Sequence, residues 1–198
     1  MIDFINHSKE KPHIKFMETY KKAIAADQKS IEAVAISSFD QELNSVDSRF
    51  VNLKIIENNN YIFFSNYQSA KSFQFNLSNK ISALFYWNNI NTQIRIKAII
   101  KKTSTEFNKE YFIKRSANKN ALAISSNQSK KIDSYEAVKE NYNRSFKSAD
   151  LNICPSYWGG YSFTPYYFEF WEGHESRINK RDVYEFSDDN WNQFFLQP

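Results

Sequence analysis

The chain has 198 residues, 41% apolar and 17% aromatic, with a net charge of +4; it can bury one ordinary core and is too weakly basic for a strong nucleic-acid footprint. A single cysteine, Cys154, excludes an internal disulfide framework, and three histidines (His7, His13, His174) without HExxH or CxxC spacing leave no metal site to expect. No apolar run approaches the roughly 18 residues of a membrane span, and the opening "MIDFINHSKEKPH" has no signal-peptide core, so the expectation is a cytoplasmic protein.

In chain order, "HIKFMETYKKAIAADQ" places Ile14, Met17, Tyr20 and Ile24 at helical spacing, predicting an amphipathic helix in an N-terminal extension, residues 1–30. The period then changes. "IEAVAISSF", "SRFVNLKII" and "NYIFFSN" read as short strands. "YQSAKSFQFNLSN" reads as a short helix carrying Ala70, Phe73 and Phe75 loosely on one face, and "KISALFYW" with "NTQIRIKAII" as a hairpin joined through Asn88-Asn89. "STEFNKEYFIKRSANKNALAIS" predicts a helix capped by Ser104 or Thr105 with Glu106 in its first turn. "KIDSYEAVKENYNRSF" predicts another, and "GYSFTPYYFEFW", "DVYEF" and "WNQFF" close the chain as strands. With no repeat, linker or break in composition, residues 31–198 form one domain. At least six strands, rich in Phe and Tyr, predict a mainly β fold: an antiparallel barrel flanked by helices.

Three constellations can carry chemistry. All three glycines (Gly159, Gly160, Gly173) fall between residues 157 and 181, beside Trp158, Trp171, Arg177 and Arg181. Glycine there serves either a sharp turn beside an aromatic core or a close approach of a flat ligand or second subunit to the backbone. Arg49, Lys54 and Arg95 interrupt apolar strands; they are either a solvated wall or cations for a ligand's phosphates, and opposite parity sends Arg49 and Lys54 to different faces. Tyr111, Arg115 and Lys119 are four apart, so a continuing helix stacks them as an anion clamp or as a solvated edge.

Read in order, "SRFVNLK", "IFFSNYQSAK", "ALFYWNNINTQIRI", "EYFIKR", "SNQS", "YWGGYSFTP", "FEFWEG", "RINKR" and a terminal "W…LQP" closely resemble the pyridoxamine 5′-phosphate oxidase family, from about Glu32 to Pro198. The resemblance implies a six-stranded antiparallel Greek-key split β-barrel that binds FMN, forming homodimers with FMN at the interface. It assigns Arg49, Lys54, Phe64, Ser65, Lys71, Gln93, Gln128, Ser129, Trp171 and Arg181 to the cofactor. It assigns Lys54, Tyr111, Arg115, Lys119, Arg177 and Asn179 to the substrate, with Arg177 and Asn179 at the reacting ring. By the same resemblance the glycine-rich stretch shapes a cofactor wall shared between chains.

The implied reaction oxidises pyridoxamine or pyridoxine 5′-phosphate to pyridoxal 5′-phosphate, with the C4′ hydride passing to the flavin and O2 reoxidising it to release hydrogen peroxide. Four positions depart from the family pattern. Ala70 stands where an arginine is usual at the flavin phosphate, Thr92 replaces another arginine, Lys119 stands at a serine position for the substrate phosphate, and Asn179 replaces a histidine. Asparagine still hydrogen-bonds but does not titrate near neutrality. These changes keep open a related FMN oxidase of phenazine-pathway type, or a non-catalytic flavin-binding protein. A single-strand-binding aromatic barrel is a more distant alternative, tested by the absence of colour and by steep salt dependence.

Overall fold

The computed structural model describes all residues, 1–198. Six of its strands pair in a closed circuit: β2 (Ala33–Asp40), β3 (Ser45–Glu57), β4 (Asn60–Asn66), β7 (Trp158–Glu172), β6 (Thr92–Lys102) and β5 (Lys80–Trp87), with β5 returning to β2. Every pairing in the circuit is antiparallel. β2, β3 and β4 follow as hairpins, and β5 crosses back over helix α2 (Ala70–Leu77) to lie beside β2, which is the Greek-key connection the resemblance implied. Two further strands, β8 (Lys180–Ser187) and β9 (Asn190–Leu196), extend the sheet from β7.

Residues alternate cleanly where a strand has one wet face. β5 buries Ile81, Ala83, Phe85 and Trp87 and exposes the residues between them. The inward set joins a single core of 25 buried residues, including Phe63, Phe85, Ile94, Tyr161, Phe163 and Phe168. No helix is long and apolar enough to cross a membrane.

The N-terminal segment belongs to this core. Short β1 (Asp3–Ile5), which periodicity did not reveal, pairs in parallel with β3. Helix α1 (Lys11–Ala25) forms where expected, with Pro12 in its first turn, where a missing N–H costs nothing. Its buried face is His13, Phe16, Tyr20 and Ala23, rotated from the predicted stripe, and Ile24 is exposed. The rotation depends on His13, which enters the core as a neutral ring with Nδ1 3.1 Å from the Tyr61 hydroxyl.

Three other expectations change. The β5–β6 hairpin turns through a 3₁₀ segment (Asn88–Ile90), and the left-handed residue is Asn91 rather than Asn88 or Asn89. Helix α2 buries Lys71, Ser72, Gln74 and Phe75 and leaves Phe73 exposed, so its inner face is largely polar. The long helix predicted from Ser104 to Ser125 is two helices, α3 (Thr105–Ile113) and α4 (Ala117–Ser125). Backbone N–H groups of Lys114 and Arg115 tighten onto the Tyr111 and Phe112 carbonyls, ending α3, and the Asn120 side-chain amide also donates to the Phe112 carbonyl at 3.0 Å. Helix α5 (Tyr135–Ser148) packs on α4, its N-cap Ser134 accepting from Ala137 N–H.

Candidate active site

A cleft of about 530 Å3 opens between β3, the end of β4, α2 and the α3–α4 pair. A bulge in β3 sets one side of it. The register with β4 shifts between Leu53 and Ile55, so Lys54 is the extra residue and turns outward while Ile55 and Ile56 both bury. Its ammonium donates to Glu32 at 3.3 Å.

Flat rings build the wall. Phe64 stacks on Tyr111 with centroids 3.7 Å apart and on Trp158 at 5.1 Å, both within 8° of parallel. The Arg115 guanidinium lies 4.3 Å over the Trp158 ring. One of its terminal nitrogens donates to the Lys119 carbonyl at 3.0 Å; the other, Nη1, is buried without any partner. Burial lowers the Arg115 pKa and raises that of the Tyr111 hydroxyl, and the charge of each opposes the other's shift.

At the opposite end Lys71 is buried against hydroxyls alone: its Nζ donates to Ser65 at 3.1 Å and to Ser69 at 3.0 Å. Burial, helped by the charge of nearby Arg49, pulls its pKa down to about 8. The Gln128 side chain closes on Ser65 at 3.4 Å, and its loop is tied to β4 by Asn66, which donates to the Ser126 carbonyl at 3.2 Å.

The cleft therefore carries Lys54, Lys71, Arg115 and Lys119 with no carboxylate in its lining. A buried ammonium satisfied only by neutral oxygens and an unpartnered guanidinium N–H both call for anionic oxygens, so the donor set fits a flat, phosphorylated ligand. Tyr111, Arg115 and Lys119 converge here although the predicted continuous helix is broken; the break itself folds Lys119 back beside Arg115.

Of the residues expected from sequence, Lys54, Phe64, Ser65, Lys71, Tyr111, Arg115, Lys119 and Gln128 line this one cleft. Arg49 does not: as its parity indicated it faces the other way, donating to Ser38 at 2.6 Å and Gln74 at 2.9 Å. Ser129, at φ 71°, borders an adjoining hollow that shares Gln128. Gln93, Trp171 and Arg181 form a separate cross-strand row over β6, β7 and β8. Arg177 and Asn179 follow on the exposed β7–β8 loop, Arg177 at φ 61° and the Asn179 oxygen accepting from His174 N–H at 3.0 Å.

The glycines act by close approach, and none has a positive φ. A Cβ on Gly159 would collide with the Tyr67 hydroxyl and the Asn108 amide, and one on Gly160 would lie 2.6 Å from the Thr103 hydroxyl. The approaching groups are side chains of the same chain: Tyr67, Asn108 and Thr103 at Gly159 and Gly160, and Asn91 at Gly173; the Phe64 ring of the cleft wall also lies 3.3 Å from a Cβ on Gly160. Neighbouring Trp158, which the sequence set beside the glycines, lines the cleft. Sequence reasoning passed over Ser69, which accepts from the buried Lys71, and Asn66, which lines the cleft.

The fold is a Greek-key split barrel, and its candidate site is a cationic, aromatic-walled cleft. Residues 158–198 match the family described as "Pyridoxine 5′-phosphate oxidase C-terminal dimerisation region". The chain is 34% identical over 180 residues to the pyridoxine/pyridoxamine 5′-phosphate oxidase of Cytophaga hutchinsonii, covering 85% of this chain and 83% of that one. To pyridoxine/pyridoxamine 5′-phosphate oxidase 1 of Hydrogenovibrio crunogenus it is 31% identical, covering 88% and 81%. In fold it superposes on PhzG from Burkholderia lata, solved with tetrahydrophenazine-1-carboxylic acid, with a TM-score of 0.90 at 23% identity, covering 96% and 93%. A pyridoxamine 5′-phosphate oxidase-related, FMN-binding protein from Nostoc punctiforme gives 0.77 at 13% identity, covering 92% and 97%. The chain belongs to the pyridoxine/pyridoxamine 5′-phosphate oxidase family.

Proposed function

We propose that this protein is a cytoplasmic, FMN-dependent oxidase that converts pyridoxamine or pyridoxine 5′-phosphate to pyridoxal 5′-phosphate, with O2 as acceptor and hydrogen peroxide as product. The observation that carries the reading is a carboxylate-free cleft with two cationic ends, Lys71 at one and Arg115 with Lys119 at the other. Two phosphorylated ligands, cofactor and substrate, account for both.

Bound FMN supplies the two-electron acceptor and its reoxidation by O2. The chain's task is orientation and charge. Lys71, with Ser65 and Gln128, holds the cofactor phosphate. Arg115, Lys119, Lys54 and the Tyr111 hydroxyl hold the substrate phosphate, and Arg115 is fixed in advance by the Lys119 carbonyl and the Trp158 face. Preset donors lose little on binding, which favours a single pose for the substrate ring.

The functional unit in this reading is a homodimer of the 31–198 domain, with residues 1–30 docked on it. Tyr86, Gln93, Trp171 and Arg181 run as one cross-strand row on the outer face of β5 to β8. The same face carries exposed Leu84 and Tyr86, and exposed Phe50 on β3 lines the cleft. A two-fold contact through this face sets the row of one copy against the cleft of the other. Arg177 and Asn179 then reach the partner's substrate ring, and Arg49 and Ser129 support the cofactor from behind the cleft wall.

A second reading keeps the flavin and changes the substrate, and Lys119 and Asn179 favour it. One experiment separates the two: a visible spectrum of the purified protein, followed by anaerobic addition of pyridoxamine 5′-phosphate. A yellow protein that bleaches supports the first reading, and a yellow protein that does not bleach supports the second. Protein that refuses FMN on reconstitution contradicts both.

A further inference from the structure

The geometry points to Glu169 as a positioning residue that sets the Arg181 guanidinium in place for the cofactor. Glu169 lies on β7 two residues before Trp171, on the same outward face, yet is only 1% exposed. Its two oxygens are shared among three donors. Oε1 accepts from Arg181 Nε at 2.8 Å; Oε2 accepts from Arg95 Nη1 at 3.1 Å and from the Tyr167 hydroxyl at 3.0 Å. Arg181 is further held by Nη1, which donates to the Gln197 carbonyl at 3.0 Å. Two of its three nitrogens are thus committed, and Nη2 has no hydrogen bond within the chain, on a residue paired across the strands with Trp171.

Packing alone does not account for a carboxylate there. Burial pushes the Glu169 acid upward, and hydrogen bonds from Arg181 and Tyr167 with the charges of Arg95 and Arg181 bring it back below the ordinary value. A buried ion pair of this kind recovers little net stability over apolar residues of the same size. What it does is fix direction: an arginine fork anchored through Nε has one orientation rather than many. Arg95 is half exposed and meets only the far oxygen, so the tighter contact belongs to Arg181.

The inference rests on the proposed role of Arg181 at the flavin, and a double-mutant cycle separates the two. FMN affinity is read by flavin fluorescence quenching for the wild type, Glu169→Gln, Arg181→Gln and the double variant, with apo thermal midpoints as the control. Arg181→Gln is expected to weaken FMN about tenfold or more, Glu169→Gln about three- to tenfold, and the double variant no further than Arg181→Gln. Should Glu169→Gln fold poorly, Glu169→Asp keeps the charge, withdraws it by one methylene and runs the same cycle. An equal loss from the Glu169 change in both Arg181 backgrounds overturns the positioning role alone. An Arg181→Gln protein with unchanged FMN affinity overturns it together with the placement of Arg181 at the cofactor. Flavin oxidation activity of that variant then still tests the proposed reaction.

Discussion

Replacing Lys71 with methionine is expected to move two measured quantities in opposite directions. In the free protein Lys71 is 8% exposed and its ammonium has two serine hydroxyls as its partners. Burial and the charge of Arg49 lower its pKa from 10.5 to about 8, a cost of about 3 kcal/mol when it is charged at neutral pH. Methionine keeps the length and drops the charge, so the apo variant gains about 1–2 kcal/mol once the lost hydrogen bonds are subtracted. For a chain of this size that raises the thermal midpoint by roughly 2–8 °C. With a phosphate in place the same ammonium makes a charge-assisted bond of about 1.5–3 kcal/mol, so its removal weakens FMN about 10- to 100-fold. The pH dependence has a fixed sign. Free protein lacking phosphate binds fewer protons than its unfolded chain between pH 8 and 10.5, so its stability rises with pH across that window and is lowest below it. FMN affinity falls over the same rise, because the bound phosphate favours charged Lys71. Calorimetry of apo protein and a fluorescence titration of FMN read the two quantities. A Lys71→Met protein that is less stable when empty yet binds FMN as tightly as before refutes the reasoning.

Arg177→Ala is expected to lower turnover at least tenfold while changing FMN affinity less than threefold, read by steady-state kinetics beside the same titration. Asn179→His is expected to leave unchanged or raise activity toward pyridoxine 5′-phosphate, and a clear loss in that assay marks a site shaped for another substrate. Burial, and then the charge of His7, lowers the His13 pKa from 6.5 to about 4, so its contribution is complete above pH 6.5 and is lost as pH falls from there through 4; at most about 3 kcal/mol disappears, measured as the denaturation midpoint against pH for wild type and His13→Phe. Gly159→Ala is expected to cost about 1–3 kcal/mol, because the new methyl displaces the hydrogen-bonded Tyr67–Asn108 pair, and urea unfolding reports it.

How far the fold could be read from sequence depended on what each element buries. Strands with one wet face announced themselves: β5 alternates without exception, and β2, β4, β6 and the end of β7 lie where apolar runs placed them. Elements that bury polar groups did not. α2 hides Lys71 and Gln74, so an apolar stripe gave the wrong face. α1 hides His13, which periodicity counts as polar. The α3–α4 break left no proline or glycine in the sequence; it depends on Asn120 reaching back to the Phe112 carbonyl, a contact that exists only after both helices pack. The site shows the same division. Lys54 stood out as a cation in an apolar strand and Arg115 by its spacing from Tyr111 and Lys119, whereas Lys71 was named only by the family resemblance. Ser69 and Glu169 were not legible, since a serine and a strand glutamate are unremarkable until their neighbours are known.

The separation of the two residue sets within one chain carries a consequence for assembly. Lys71, Arg115 and Lys119 face the cleft, whereas Gln93, Trp171 and Arg181 form their own row on the outer face of β6 to β8. In the proposed dimer each flavin meets Lys71, Ser65 and Gln128 of one copy and the Gln93, Trp171 and Arg181 row of the other, so a monomer offers only part of the contacts. Binding of FMN and association of protomers must then strengthen each other by the same factor. Diluting the protein is expected to weaken FMN affinity at the concentration where protomers separate, and saturating FMN is expected to move that separation to lower protein concentration. Tyr86→Lys tests the coupling directly. It places a charge in the row on a residue that is 56% exposed and has no part in the cleft. Analytical ultracentrifugation should show monomers, and the same sample should bind FMN at least tenfold more weakly with its cleft intact. Monomers that hold FMN as tightly as the wild type would mean that one chain completes the site by itself, and the division of labour between copies would be wrong.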